Sequence, residues 1–584
     1  MRAHCVRVLL GGLAILAAAC AGGEVIEAPS SGASPPAGDQ ERAAESAPLA
    51  GDEADSGGTV PLRVEGVATD PDVAPSPSPV DAGPAPDVDE PPDGGDGSES
   101  VAVSPEPPAA AGDEDVVELQ RADGDGSVVE VQPGDGGPSE PDGSGLHPIE
   151  RATLRNFRGY EFPAAPDVPP GPLGQTAVDD LEIIWSGLTT EVDIGAISRL
   201  GQSTDPRLGW ILSDLLRFFY YGPVHEEAVA AFESLTGVSL ADDPVAARSP
   251  WQSVTDHLFA WDLPAFDGYV DYKARLFTLV EPGWQPFFDD RDSNIDWRFV
   301  SWGGVRIDDR PLGDPQRCVR GCIPARDDPP VTDAAGGVWY PDDRIVFAVV
   351  IGGEARAYPK NFMEIHEMVN DTVGGRRIGF PYCTLCGSAQ AYFTDDVPAG
   401  VEIPVLRTSG LLSRSNKVMY DLVTKSVFDT FTGEAVSGPL REKGVVLNQA
   451  TVVTTTWGEW KAAHLDTTIV ARDGGIGQHY PLDPLRGRDD DGPIFPIGDL
   501  DERLGVHDQV FGVVLDDGTP IAFPVEAAIA ALEAGRTVEL GGVSLRLDGG
   551  GVRAVDASGG EIEGHQAFWF AWSQFMPDTL LWGP

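Results

Sequence analysis

The chain has 584 residues, a formal charge of −53, 41% hydrophobic residues and six cysteines. Phosphate recognition needs a basic surface, so an acidic surplus of this size excludes a nucleic-acid binder. It fits an exported protein kept soluble by its own charge.

The first elements are an address and a spacer. Arg2 and Arg7 precede an apolar run from Val8 to Ala19, of signal-peptide length and too short for a permanent membrane span. The run ends Leu16-Ala-Ala-Ala-Cys20, similar to a bacterial lipobox, with the large apolar residue four rather than three places before the cysteine. The expectation is a lipoprotein-type signal over residues 1–20. Cys20 would carry the lipid that anchors the protein, outside the cytoplasm, to the cell membrane; an ordinary cleaved secretory signal is the alternative. Residues 21–150 carry 30 acidic and 3 basic residues and no Phe, Trp, Tyr or Cys. A segment so poor in apolar surface cannot offset its conformational entropy, and a disordered, extended tether is expected.

Residues 151–295 read as a helical subdomain. Asp205-Pro206 has the order of a cap and a first-turn proline, and Leu208, Ile211, Leu212, Leu215 and Leu216 recur at helical spacing. Gly222-Pro223 should stop that run. Further helices are expected near 226–235 and over 269–280. No catalytic constellation stands here, and packing or docking of a protein partner is the reading.

From residue 296 to 584 the runs shorten to strand length: 346–351, 378–382, 389–393, 417–420, 510–515 and 543–547. The segment from Val346 to Pro359 echoes that from Val510 to Pro524, each followed by a helical stretch and a Gly-Gly pair, at Gly374-Gly375 and Gly541-Gly542. The expected class is α+β: a helical N-terminal subdomain, then a β-rich domain with duplicated hairpin–helix–strand units near 344–390 and 508–550. Counted from the Gly-Gly pairs, Cys383 aligns with Gly550. The second unit keeps the apolar skeleton and lacks the polar chemistry.

That chemistry lies in Phe380-Pro-Tyr-Cys-Thr-Leu-Cys-Gly-Ser-Ala389 and, just upstream, His366-Glu-Met-Val-Asn-Asp371. The spacing of Cys383 and Cys386 lets two sulfurs face one metal or close a redox or simple disulfide, with free buried thiols as the third reading, and Gly387 allows the backbone to turn beneath them. His366 shares an inward helical face with Phe362, Ile365 and Val369. It is a candidate third ligand for zinc or copper, or a group that tunes the thiols, or a core histidine. Glu367, Tyr420 and Asp421 are candidates for the surrounding shell. Cys318 and Cys322 read as a local disulfide, with a four-cysteine zinc site joining both pairs as the alternative. His-Glu-Met-Val-Asn lacks the second histidine of a zinc-protease helix.

Together, Gly353-Glu-Ala-Arg-Ala-Tyr-Pro359, His366-Glu-Met-Val-Asn-Asp-Thr-Val-Gly-Gly375 and Tyr382-Cys-Thr-Leu-Cys-Gly-Ser-Ala389 resemble the DUF3179 family of exported bacterial and archaeal proteins. Val418-Met-Tyr-Asp421, Trp457 with Trp460, and Phe568-Trp-Phe-Ala-Trp572 with Pro577-Asp-Thr579 extend the resemblance over about 300–584. The family's usual spacer between the cysteines is Pro-Leu, and here it is Thr384-Leu385. The resemblance implies no activity. Two readings stand: an envelope module whose Cys-x-x-Cys and histidine bind a metal or exchange electrons, and a non-catalytic envelope protein stapled by disulfides.

Overall fold

The computed structural model describes residues 5–7, 153–314, 318, 320–487 and 492–583. Cys20 and the 21–150 tether lie outside the described residues. No helix among the described residues is long and apolar enough to cross a membrane.

Helices fill the first part: α1 (Gln175–Gly187), α2 (Ile194–Gly201), α3 (Gly209–Phe218), α4 (Pro223–Thr236), α5 (Pro250–Ala260), α6 (Tyr269–Val280) and α7 (Gln285–Asp289). The Asp205 carboxylate caps a single 3-10 turn that leads into α3, accepting from the Arg207 amide. Gly222-Pro223 does more than stop a helix, because Pro223 opens the next one. Leu208, Ile211, Leu212, Leu215 and Leu216 are buried, as their spacing predicts, and so is Trp210 of α3. Their core does not end at residue 295. It runs on through Trp302, Ile307, Leu411, Val418 and Tyr420 of the following section. The boundary at 295/296 is therefore a change of secondary structure within one continuous core.

The β-rich part opens with hairpin β1 (Ile345–Ile351) and β2 (Glu354–Pro359), helix α8 (Lys360–His366), and β3 (Met368–Val373) paired with β4 (Arg376–Cys383). A second hairpin, β5 (Leu406–Ser413) and β6 (Asn416–Asp421), packs beside it. Then come β7 (Val453–Thr456), α9 (Trp457–Ala463) and β8 (Thr468–Val470). The C-terminal stretch holds β9 (Gln509–Val514), β10 (Pro520–Pro524), α10 (Val525–Glu533), β11 (Glu539–Leu540), β12 (Val543–Asp548), β13 (Gly551–Val555), β14 (Gly564–Phe568), α11 (Trp569–Phe575) and β15 (Leu580–Leu581). The class is α+β.

Two strand groups share a plan. The neighbours run β7-β1-β2-β8 in one and β14-β9-β10-β15 in the other. In each, the hairpin register pairs a valine with the closing proline, Val346 with Pro359 and Val510 with Pro524, and the last strand joins parallel. In each, a Trp-x-x-Trp helix follows the first-named strand. Trp460 Nε1 donates to Thr467 Oγ1 at 2.8 Å, and Trp572 Nε1 to Thr579 Oγ1 at 2.8 Å. The turns Gly374-Gly375 and Gly541-Gly542 take left-handed φ, and a Cβ on Gly374 would stand 2.0 Å from the Ile351 carbonyl oxygen.

Turns outside the two groups brace one part against the other. Gly387, after the cysteines, packs on Gln509 and Phe568 of the second group, while Gly550 packs on Glu459 of the first. Between them lies a cleft of about 1060 Å³ lined by β1, β7 and α8 on one side and by β9, α10 and β14 on the other.

Candidate functional site

Strand β4 ends at Cys383, and Thr384–Cys386 form one 3-10 turn closed by Gly387 at φ 59°. Residues three apart eclipse on such a turn, so the two sulfurs stand side by side and hydrogen-bond each other. Both cysteines are buried thiols, 4% and 0% exposed. Cys386 Sγ lies 3.4 Å and Cys383 Sγ 4.0 Å from the Ser415 carbonyl oxygen. That carbonyl is aimed by the tip of the β5–β6 hairpin, where Arg414 and Ser415 both take left-handed φ, 46° and 66°. Non-glycine residues pay about 1–2 kcal/mol each for that conformation. The Arg414 guanidinium rests 3.6 Å from the Phe299 ring centre, tying the tip to the helical core.

Lys417, two residues beyond the tip, supplies the positive charge. Its backbone amide donates to Cys383, and its ammonium meets Glu367 Oε2 at 3.0 Å and the Glu367 carbonyl. Glu367 sits just past α8 in a left-handed conformation, φ 53°, with its amide on the Met363 carbonyl at 2.8 Å. Its carbonyl accepts the Tyr382 amide at 3.0 Å, and Oε1 accepts from Thr384 Oγ1 at 3.1 Å. One residue thus joins helix, strand and cysteine turn.

The thiol acidities split. Burial pushes Cys383 up, but the hydrogen bond from Cys386 and the amide and ammonium of Lys417 outweigh both burial and the Glu367 charge, so it lies below the ordinary thiol value. Burial pushes Cys386 well above that value, and the neighbouring Cys383 raises it further. Cys383 is thus the more acidic of the two thiols.

The structure corrects several expectations. His366 is buried, as expected of the inward face, but its ring does not serve the thiols. Nδ1 bonds the Pro324 carbonyl at 2.7 Å and Nε2 the Tyr480 hydroxyl at 2.8 Å, so both nitrogens are engaged. Burial holds its pKa down to about 3 and keeps it neutral. Among the described residues, no group of three or more His, Cys, Asp or Glu could hold a metal ion, so the zinc or copper set of Cys383, Cys386 and His366 is not assembled. Tyr420 and Asp421 also serve the fold. The Tyr420 hydroxyl donates to the Asp308 carbonyl at 2.7 Å, and Asp421 accepts from Val405, Thr424 and the Thr424 hydroxyl. Of the expected shell, only Glu367 reaches the pair. Cys318 and Cys322 are disulfide-bonded, Cα–Cα 5.4 Å, which removes the four-cysteine zinc alternative.

Lys417 and Ser415 were not among the candidates. The available signal was compositional: Lys417 is one of only six lysines in a chain with 34 arginines. Thr384 and Glu364 line the large cleft and also a small cavity of about 60 Å³ behind the cysteine turn, where Glu367, Lys417 and Leu385 form the wall.

Residues 320–556 match the family model of DUF3179, described as a protein of unknown function. No curated protein and no solved structure matches the chain.

Proposed function

We propose that this member of the DUF3179 family is an exported, membrane-anchored protein in which Cys383 and Cys386 cycle between dithiol and disulfide. The observation that carries the reading is geometric: two unbonded thiols side by side in one turn, with the Lys417 amide on Cys383 and the Lys417–Glu367 ion pair beside them. A thiolate is the nucleophile of exchange, and a neighbouring thiol of higher pKa resolves the mixed disulfide.

The step balances as follows. The Cys383 thiolate attacks one sulfur of a substrate disulfide, forming a mixed disulfide and expelling the first substrate thiolate. Cys386 then loses its proton and attacks Cys383 Sγ, which releases the second substrate thiolate. Two electrons pass to the substrate, and two protons end on its thiols. The reverse sequence oxidises a substrate dithiol.

Export rests on the signal-type run before Cys20, and the spacer on the acidic composition of 21–150. We read the two strand groups as copies of one duplicated unit; the shared register and the paired Trp–Thr bonds support this. The cysteine turn follows the first hairpin, after β4, and residues 508–550 hold no cysteine.

The near-complete burial of both sulfurs favours a second reading, a static pair that only packs the core. Alkylation under native conditions separates the two. Exchange requires that Cys383 react with iodoacetamide faster than Cys386, and that the Cys386→Ser protein trap a mixed disulfide with an added aromatic disulfide. A pair inert until the protein unfolds would refute exchange.

A further inference from the structure

The cleft between the two strand groups has a chemistry of its own. Five carboxylates line it, from Glu364, Glu459, Asp483, Asp508 and Glu526, against one ammonium, Lys360, which is already paired with Glu364. Acidity alone would not define a site, but β14 adds an independent feature. Side chains alternate along a strand. His565 faces the core, with ring centres 5.1 Å from Phe431 and 5.7 Å from Trp572, whereas Gln566 and Phe568 line the cleft. Gln566 is 4% exposed, and its Nε2 has no hydrogen-bond partner. A buried amide donor without a partner is costly, and an incoming carbonyl oxygen would satisfy it. Phe347, Ile529 and Phe568 add apolar wall. At about 1060 Å³ the cleft matches the upper end of small-ligand pockets and admits several linked residues. Thr384, within the cysteine turn, and Gly387, which closes it, line the same cleft.

We propose that this cleft binds a lysine- or arginine-bearing segment of a polypeptide. The carboxylates would select the cationic side chains, Gln566 would donate to a backbone carbonyl of the segment, and a cysteine in it would be presented to Cys383. The last clause rests on the thiol-exchange reading; the binding does not.

The test uses the purified full chain and two synthetic decapeptides of equal apolar content, one carrying four lysines and the other four glutamates. Binding is measured by fluorescence anisotropy on the Cys383→Ser/Cys386→Ser protein, with alanine in place of cysteine in each peptide. The lysine peptide should bind at least about tenfold tighter, with an affinity that falls as salt rises. Gln566→Leu should weaken it about fivefold to tenfold. The exposed pair Glu459→Gln/Glu526→Gln, which leaves the core untouched, should weaken it and flatten the salt dependence. Equal binding of both peptides, or indifference to these variants, would overturn the assignment. A second arm gives the cysteine-containing peptides to wild-type protein as mixed disulfides. Selective binding without exchange would uphold the cleft and sink the thiol reading. Exchange with both peptides at one rate would do the reverse.

Discussion

Beyond its burial and its hydrogen bond with Cys386, Cys383 feels two charges of opposite sign. Lys417 lowers its pKa and Glu367 raises it, so the two variants should move it in opposite directions. With Lys417→Met, the midpoint of Cys383 alkylation against pH should rise; with Glu367→Gln it should fall. Shifts in one direction for both variants would refute this account of the site. His366 makes a different prediction. Its folded pKa of about 3 lies below the unfolded value of about 6.5, so the unfolded chain binds the extra proton in between. Stability is then full above pH 6.5 and lost as pH falls towards 3, about 2 kcal/mol of it by pH 5. Melting temperature followed from pH 7 to pH 4 should fall less steeply in His366→Gln than in wild type, with His565, also held down to about 3, accounting for part of the remaining slope. Helical periodicity correctly placed His366 inward, but it could not say what that interior holds. It is the loop carbonyl of Pro324 and the hydroxyl of Tyr480, 42 and 114 residues away in sequence. Glu367 escaped the same periodicity because its left-handed φ takes it off the helix, where no helical wheel places it.

At the scale of elements, the hairpins, the Gly-Gly turns and the cysteine turn were legible because each is written locally in proline, glycine and alternating apolar residues. The paired Trp-x-x-Trp helices were not seen as an echo. Only the tryptophans, with Asp466-Thr467 and Asp578-Thr579, recur between Trp457–Thr467 and Trp569–Thr579. The residues between answer to different surroundings. Glycine content carries a testable difference between the two groups. Ala348 and Gly512 hold equivalent register positions, since each lies two residues after the valine that pairs with the closing proline. A Cβ at Gly512 would stand 2.0 Å from the Trp572 ring, whereas the Cβ of Ala348 is accommodated and fully buried. Gly512→Ala should therefore destabilise by about 1–3 kcal/mol through overpacking, measured by urea unfolding. Ala348→Gly should cost no more than about 1 kcal/mol. A neutral Gly512→Ala would show that Trp572 has room to move.

For the whole molecule, the sequence suggested a helical subdomain joined to a β-rich domain, but side chains from both parts fill one core. Apolar spacing reports that a face is buried; it does not report against which element. Trp302, Leu411 and Val418 belong to strands, yet they pack with α3 and its neighbours. The helical and β-rich parts should therefore unfold together, with coincident midpoints by far-ultraviolet circular dichroism and by tryptophan fluorescence. Two separated transitions would mean the shared core contributes little. The same coupling bears on the site, because the hairpin tip that faces the thiols is held by Arg414 on Phe299, in the helical core. The central claim, that Cys383 and Cys386 form a working redox pair, is tested most directly by equilibrating the purified full chain with thiol–disulfide buffers of graded potential, trapping free thiols at acid pH and counting them by mass. The account predicts one two-electron transition confined to Cys383 and Cys386, abolished by Cys383→Ser, with Cys318–Cys322 bonded throughout. Thiols at Cys383 and Cys386 that stay reduced across the whole range of buffers would contradict it.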